Sequence, residues 1–376
     1  MLRSGAVRVG RLGGVAIDVH LTFGLVLVWG GWQGWVQIGG WRGALYGVVG
    51  VLLLFASVLA HELGHAWQAR ALGLTVRHIL MLPIGGVAHL ETTHFDPWQE
   101  LLFTLAGPLV NLVLALVIGA AAYSVEPFDL LNWREQIVFL SQPGIGSLLR
   151  FLFWVNASLF LFNMLPAFPI DGGRILRAAL TILTSYTTGT RVALGLGYLM
   201  AGMALVSGVL GLAPWQGIRP MPVLILLALI VGIGVRYEQV YVRLQRALVR
   251  LEVADILRPA QQALAPSHRL TRRLAADFLK HEYTLPVFTD HRLVGLLSSR
   301  DIRRAIRSLK EEATVAHYMR TVFPILQSRD TLWAALQEME QYDMDTLPVF
   351  EKEEFRGLVT LADIQNAWRI TPRRAR

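Results

Sequence analysis

Long apolar runs with few charges recur along residues 1–240, and they constrain the fold of this 376-residue chain more than any other feature. Mean hydropathy is +0.46 and only 16% of the residues are charged, which is unlike an ordinary soluble domain. A helix needs about 20 apolar residues to cross the hydrocarbon core of a bilayer. The sequence therefore predicts a polytopic α-helical membrane protein with about six transmembrane helices, at Val15–Val36, Ala44–Ala66, Leu101–Tyr123, Leu148–Leu165, Val192–Leu212 and Met221–Val235.

The distribution of arginine between the predicted loops indicates the orientation of the chain. If the N-terminus is inside, the inner loops carry twelve arginines, whereas the outer loops carry only Arg42, Arg134 and Arg219. Cytoplasmic loops are the ones that are enriched in basic residues. We therefore expect a multi-pass protein of the cell membrane with both termini in the cytoplasm.

The net charge of +8 and the absence of cysteine limit the partners and the chemistry. In a chain this apolar, the basic excess is expected to face anionic lipid, and no nucleic-acid partner is predicted. Disulfides, thiolate zinc sites and cysteine nucleophiles are excluded because the sequence contains no cysteine.

The sequence His61-Glu62-Leu63-Gly64-His65 follows directly on an apolar run. Residues four apart lie on one face of a helix, so the two imidazoles can bind one metal ion, and Glu62 lies where a carboxylate can take a proton from water. The alternative is a pair of packed structural histidines near a helix end. Three ionisable groups at the end of a membrane helix are costly unless they have a function, which favours the metal site.

A zinc site with two histidines needs a third protein ligand and an open coordination position. Asp171 is the best candidate, because it follows the fourth predicted span. The second and fourth spans both end at the cytoplasmic leaflet, so Asp171 and the two histidines are expected on the same side of the membrane. The two sets of side chains can therefore meet. Reserve candidates lie between the second and third spans, on the same side of the membrane: His78, His89 and His94.

The motif H-E-x-x-H at the end of one span and N-x-x-P-x-x-P-x-D-G-G after a later one together resemble the site-2 proteases, which are intramembrane zinc metalloproteases. The resemblance implies one zinc ion per chain, with His61, His65 and Asp171 as ligands and Glu62 as the general base. It also implies that Asn163 holds the substrate or the developing oxyanion, and that the substrate is a membrane-anchored protein.

The segment Pro83–Val87 resembles the membrane-embedded hairpin of the same family. An exposed strand edge at this position could pair with an unwound segment of the substrate. The alternative is an ordinary glycine turn.

After Val249 the sequence repeats itself with a constant offset of 62 residues. Thr284–Phe288, for example, matches Thr346–Phe350. Each copy is predicted to form a helix, a strand, a turn, a second strand and another helix. The turn and second strand resemble cystathionine-β-synthase (CBS) domains, whose copies pair into a soluble α/β module that often binds adenine nucleotides.

Each copy also contains a hydroxyl residue three positions before an aspartate, at Ser298/Asp301 and at Thr360/Asp363. A hydroxyl there could meet a phosphate, and the carboxylate could accept hydrogen bonds from ribose hydroxyls, so the expected ligand is ATP or another adenine nucleotide. The alternative is that both acids cap the helices that follow. Since CBS pairs commonly associate face to face, the resemblance also implies a homodimer.

These observations predict a transmembrane zinc metalloprotease domain at residues 1–249, CBS domains at 250–310 and 311–370, and a basic tail at 371–376. The predicted function is hydrolysis of a peptide bond in or near a transmembrane segment, regulated by nucleotide binding to the CBS pair. A membrane channel or transporter gated by CBS domains is the alternative, because such modules are also attached to transporters. A transporter, however, has no need for a glutamate beside two metal-spaced histidines.

Overall fold

The computed structural model describes residues 5–74, 76–83, 85–90, 96–129, 143–211, 221–259, 262–270, 284–290, 292–305 and 314–370. The chain divides into two compact units, residues 1–239 and 240–376. Each unit has hydrophobic clusters of its own.

The first unit combines apolar helices with a small sheet. The helices are α1 (Phe23–Ile38), α2 (Gly40–Ala71), α3 (Pro97–Val125), α4 (Ile145–Asn163), α5 (Asp171–Leu183), α6 (Tyr186–Leu210) and α7 (Pro222–Leu248, which ends beyond the unit). Within the described residues, α2, α3, α4, α6 and α7 are long and apolar enough to cross a membrane. Only 17–33% of their most apolar stretches is buried inside the protein, so most of this apolar surface faces outward, as it does in helices surrounded by lipid.

The prediction that the first span begins at Val15 is wrong, because its first residues form a strand. Strand β2 (Val15–His20) pairs antiparallel with β1 (Ala6–Leu12), and the helix that follows, α1, has 16 residues. The Asp18 carboxylate is buried in this hairpin and accepts a hydrogen bond from Arg8 Nε at 2.8 Å. An apolar strand and the start of an apolar helix have the same hydropathy, so hydropathy did not separate them.

The sheet of the first unit has the order β1-β2-β3-β4, with β3 at Val76–Leu82 and β4 at Gly85–Leu90. The β2–β3 pair is parallel, whereas β3 and β4 form an antiparallel hairpin at the position where the sequence predicted one. Among the described strands, β4 forms an edge of this sheet.

Helix α5 was not predicted from the sequence, and it positions the aspartate of the second motif as its first residue. The loop between α4 and α5 packs tightly on this helix start. A methyl group built at Gly173 would lie 2.6 Å from the backbone nitrogen of Phe168, so only glycine fits there without a shift. The close packing fixes where α5 begins and therefore where Asp171 projects.

The second unit contains two copies of one strand–turn–strand–helix element. The strands are β5 (Thr284–Thr289), β6 (Arg292–Ser298), β7 (Leu326–Gln327), β8 (Thr346–Glu351) and β9 (Glu354–Thr360), and the helices are α8 (Ser299–Ala305), α9 (Leu332–Tyr342) and α10 (Leu361–Ile370). The hairpins β5–β6 and β8–β9 are offset by the 62 residues of the sequence repeat. Thr284 and Thr346, which are equivalent in the repeat, are hydrogen-bonded to each other at 3.1 Å.

Candidate metal centre

Two imidazoles meet on one face of α2. His61 and His65 are four residues apart on this helix, and they are only 6% and 4% exposed. Their Nε2 atoms lie 3.1 Å from each other. The helical spacing that the sequence indicated therefore brings two potential ligand atoms together.

The carboxylate of Asp171 completes a group of three. Its Oδ2 atom lies 3.1 Å from Nε2 of His61 and 3.1 Å from Nε2 of His65. Tetrahedral ligands at 2.0–2.2 Å from one zinc ion would be separated by about 3.3–3.6 Å, which is close to these distances. Two imidazole nitrogens and one carboxylate oxygen are also a donor set that catalytic zinc sites use. The residues present therefore fit a zinc ion.

The Nδ1 atoms of both imidazoles, which face away from Asp171, also have hydrogen-bond partners. His65 Nδ1 lies 2.8 Å from the carbonyl oxygen of Phe103, and His61 Nδ1 lies 2.6 Å from Oδ1 of Asn111. Both acceptors belong to α3. Hydrogen bonds of this kind orient the rings of metal-binding histidines.

The neighbouring histidines govern the ionisation of the Asp171 carboxyl group. Burial raises the pKa of this carboxyl, whereas His61 and His65, when they carry a proton on Nε2, lower it. The lowering effect is the stronger, and the resulting pKa lies below the ordinary value for aspartate. Asp171 is therefore held as the carboxylate, which is the form that binds a metal ion.

Two glycines leave space for the reactive side chains. A methyl group built at Gly107 would lie 2.6 Å from Cε1 of His65 and 2.8 Å from Cε1 of His61. A methyl group built at Gly86, on the edge strand β4, would lie 3.0 Å from the carboxyl carbon of Glu62. The backbone of α3 thus borders the histidine pair, and the edge strand borders Glu62.

The other candidate residues named from the sequence are not part of the group formed by His61, His65 and Asp171 in the described residues. The amide nitrogen of Asn163 donates to the carbonyl oxygen of Leu159 in its own helix, at 2.9 Å. His78 is buried on β3 and is not part of the three-residue group. The side chain of His89 and the whole of His94 lie outside the described residues. Sequence reasoning did not foresee the carbonyl of Phe103 as a partner of His65.

A buried ion triad anchors α5. Arg177 bonds to Glu100 of α3 and to Glu238 of α7. Because Arg177 follows Asp171 by six residues, the triad lies less than two turns from the cluster. The position of Asp171 thus depends on charges that bind α5 to two membrane helices.

In the second unit, the four residues predicted to bind a nucleotide take part in helix capping and ion pairs. The hydroxyls of Ser298 and Thr360 accept hydrogen bonds from the backbone N–H groups of Asp301 and Asp363, both at 3.2 Å. The two carboxylates also pair with equivalent arginines of the repeat, Arg320 at 3.0 Å from Asp301, and Arg258 with Asp363. Capping by the aspartates was the alternative in the sequence prediction. In the structure the hydroxyls accept the hydrogen bonds at the helix starts, and Asp363 Oδ2 accepts one from the backbone N–H of Thr360 at 3.2 Å.

A polar cleft lies in the same unit. Its volume is about 950 Å³, and both hydroxyl residues of the repeat, Ser298 and Thr360, line it. Three arginines also line this cleft: Arg258, Arg300 and Arg303. The cleft therefore presents arginines and hydroxyl groups together, although Arg258 pairs with Asp363, Arg300 pairs with Asp345, and Asp345 also lines the cleft.

The buried His–Glu–x–x–His helix with a converging aspartate, set among membrane-spanning helices, defines the first unit as a membrane-embedded zinc metalloprotease. The chain belongs to peptidase family M50, the site-2 proteases, whose sequence model matches residues 49–207. The CBS domain model matches residues 271–308 and 315–369. The predicted fold class, a polytopic helical membrane protein followed by a CBS pair, is confirmed, with five long apolar helices in the described residues.

Three relatives illustrate the similarity. A zinc metalloprotease of Methanocaldococcus jannaschii is 32% identical over 97% of this chain and 96% of its own length. A related protein of Synechocystis sp. is 29% identical over 95% of this chain and 94% of its own length. A solved site-2 protease from Methanocaldococcus jannaschii shows 33% sequence identity and a TM-score of 0.42, and the match covers 62% of this chain and 94% of that chain.

Proposed function

We propose that this protein hydrolyses a peptide bond in or near a transmembrane segment of a membrane-anchored protein. The observation that supports the proposal is the convergence of His61, His65 and Asp171 among membrane helices. In this proposal the three residues bind one zinc ion per chain. When bound, zinc would act as a Lewis acid that makes water nucleophilic near neutral pH and polarises the scissile carbonyl.

Glu62 is proposed as the general base. It accepts the proton of the attacking water and returns it to the leaving amine, as a carboxylate next to a metal-binding histidine pair can do. Asn163 ends α4, close in sequence to Asp171, and its amide donates to its own helix in the structure. In the proposal this amide turns to the substrate oxygen, where one donor contributes about 3–4 kcal/mol to transition-state stabilisation.

The edge strand β4 is proposed as the place where the substrate pairs. A helical substrate hides its carbonyls in its own hydrogen bonds, so it must unwind before the attack. An unwound segment can add to the edge of a sheet through main-chain hydrogen bonds. Gly86 of β4 borders Glu62, so a strand added at this edge would lie next to the base.

The test is the substitution Glu62→Gln in full-length protein, assayed on a model membrane substrate with zinc measured in parallel. We expect cleavage to be lost while the zinc content stays near one ion per chain. His61→Ala and Asp171→Ala should lose zinc as well as cleavage. Full cleavage by Glu62→Gln would overturn the proposal, and wild-type protein that cleaves nothing but conducts ions in liposomes would support the transporter alternative.

We also propose that the second unit binds an adenine nucleotide in its cleft, that this binding regulates cleavage, and that the CBS pair forms a homodimer. Ser298 and Thr360 would meet phosphate, and Asp301 and Asp363 would exchange their arginine partners for ribose hydroxyls. The arginines that line the cleft support a phosphate-bearing ligand.

The nucleotide proposal is tested by titrating ATP into the full-length protein and measuring the unfolding midpoint and the cleavage rate. ATP should raise the midpoint, because a ligand that binds only the folded state stabilises it. Arg303→Ala should weaken the effect. Arg356→Ala, which removes an arginine paired with Glu351 on the β8–β9 hairpin, should not. Light scattering measures the oligomeric state, and the absence of any ATP effect would remove the regulatory role.

The predicted domain limits, 1–249 for the protease and 250–310 and 311–370 for the CBS copies, are proposed as the functional division of the chain. The predicted cytoplasmic location of both termini is proposed with them. This location requires an even number of crossings, so in this proposal the apolar 16-residue helix α1 crosses the membrane in addition to the five long helices. It is supported by the excess of arginine in the loops on that side.

A further inference from the structure

Three polar side chains behind the histidine pair form one hydrogen-bonded chain, which we call the amide relay (Ser57, Asn156 and Asn111). They belong to α2, α4 and α3, and they are 4%, 0% and 0% exposed. Asn156 Nδ2 donates to Ser57 Oγ at 3.0 Å, and Asn111 Nδ2 donates to Asn156 Oδ1 at 2.9 Å. The relay ends at His61, whose Nδ1 lies 2.6 Å from Asn111 Oδ1. Buried polar groups within membrane spans are costly, so three of them in series indicate a role.

Backbone carbonyls fix the direction of the relay, because a carbonyl oxygen can only accept a hydrogen bond. Asn156 Nδ2 also donates to the carbonyl of Leu152 at 2.9 Å, and Ser57 Oγ donates to the carbonyl of Leu53 at 3.1 Å. Asn111 Nδ2 faces the carbonyl of Ser57 at 3.4 Å. Reversing either amide would set its oxygen against one of these carbonyls. The nitrogen of Asn156 must therefore face Leu152, and the nitrogen of Asn111 must face Ser57.

This direction determines which nitrogen of His61 carries the proton. Since Asn111 presents an oxygen to Nδ1, the neutral imidazole must donate from Nδ1, and its lone pair must lie on Nε2. That Nε2 is the atom 3.1 Å from both His65 Nε2 and Asp171 Oδ2. The carbonyl of Phe103 fixes the same tautomer in His65.

We propose that Asn111 and Asn156 are positioning residues that fix the Nδ1–H tautomer of His61 and thereby prepare its Nε2 to bind zinc. This inference rests on the proposed function, in which His61 is a zinc ligand. His65 obtains its tautomer from the backbone, whereas His61 depends on two side chains contributed by different helices. The relay therefore makes the affinity for zinc sensitive to substitutions far from any ligand atom.

The test measures zinc affinity by competition with a chelating indicator on full-length protein in detergent. Asn111→Leu should lower the affinity about 10–100-fold, the range found when the outer partner of a metal-binding histidine is lost. Asn111→Asp keeps an acceptor opposite Nδ1 but sets its second oxygen against Asn156 Oδ1 and the Ser57 carbonyl, so it should recover only part of this loss. Thr181→Val is the control, because the Thr181 hydroxyl donates to the carbonyl of Arg177 in its own helix, and its loss should leave the affinity unchanged.

A double-mutant cycle separates the relay from general packing. Asn156→Leu alone should weaken zinc binding, but it should have no further effect in the Asn111→Leu background, since Asn156 acts through Asn111. Additive losses in the cycle would overturn the inference.

Nitrogen NMR of histidine-labelled, zinc-free protein reads the tautomer directly, with the signal assigned by its loss in His61→Gln. Wild-type His61 should be protonated at Nδ1, and Asn111→Leu should show a mixture of tautomers. Protonation at Nε2 in the wild type would overturn the inference even if Asn111→Leu did not fold. If His61→Ala and Asp171→Ala kept wild-type zinc affinity, the proposed function itself would fail. If they lost zinc while Asn111→Leu kept it, only the relay would be wrong.

Discussion

Replacing Gly107 by alanine should remove zinc from the histidine pair while the protein stays folded. The added methyl would lie against His65 Nε2, 2.6 Å from Cε1 of the same ring and 2.8 Å from Cε1 of His61. Ordinary contact begins near 3.4 Å, so the His65 ring must move by at least about 0.8 Å. Metal–ligand distances tolerate deviations of only about 0.2 Å. The displacement is therefore several times larger than the site can absorb.

The assay is a zinc-binding isotherm for the purified variant, together with thermal unfolding. We expect the zinc affinity to fall at least about tenfold, since even the loss of an outer partner of a ligand costs this much. Gly119→Ala on the same helix is the control, because its methyl would lie 2.8 Å from the ring of Phe153. Both variants should show an overpacking cost of about 1–3 kcal/mol, but only Gly107→Ala should lose zinc. Wild-type zinc affinity in Gly107→Ala would refute the reasoning.

Three further predictions concern Glu62, the ion pairs of Arg177 and the orientation of the termini. Gly86→Ala should push Glu62 aside and lower the cleavage rate at unchanged zinc content, and a loss of zinc in this variant would contradict the placement of Glu62. Arg177→Met should lower the free energy of unfolding by up to about 3–5 kcal/mol, because it leaves the buried Glu100 carboxylate with only Arg174, at 3.7 Å, and the partly buried Glu238 carboxylate without Arg177. Denaturant unfolding in mild detergent measures this, with the exposed Arg191→Met as control. Because the chain has no cysteine, single cysteines introduced near either terminus can be labelled with an impermeant maleimide, which should react in inverted vesicles and not in intact cells.

The convergence of the metal-binding residues could be predicted because it depends on two rules that do not involve side-chain packing. Helical spacing places His61 and His65 on one face of α2. Two membrane crossings separate them from Asp171, so Asp171 returns to the same leaflet. The strand at Val15–His20 could not be predicted in this way. Its pairing with β1 and the burial of the Asp18–Arg8 contact are tertiary effects that hydropathy does not contain.

Asn156 and Ser57 of the amide relay were also absent from the sequence prediction, because they belong to no recognised motif. A signal nevertheless existed, since a polar side chain in the middle of an apolar span is costly unless it finds a partner. Several spans that each carry one such residue can satisfy them only by packing these residues together. Which residues pair, and in which direction, depends on the helix contacts, which the sequence alone does not supply.

One face of α3 controls the geometry of the centre, although α3 contributes no ligand. The contacts come from residues at three- and four-residue spacing, which places them on a single stripe of the helix: Glu100, Phe103, Gly107 and Asn111. The ligands belong to α2 and α5, so their relative position is set by a third helix that touches both. A rigid helix holds such contacts in place more precisely than a loop does. This precision matters because zinc binding tolerates deviations of only about 0.2 Å in the metal–ligand distance. A substitution on this stripe should therefore change zinc affinity, whereas a substitution elsewhere on α3 that costs the same stability should not.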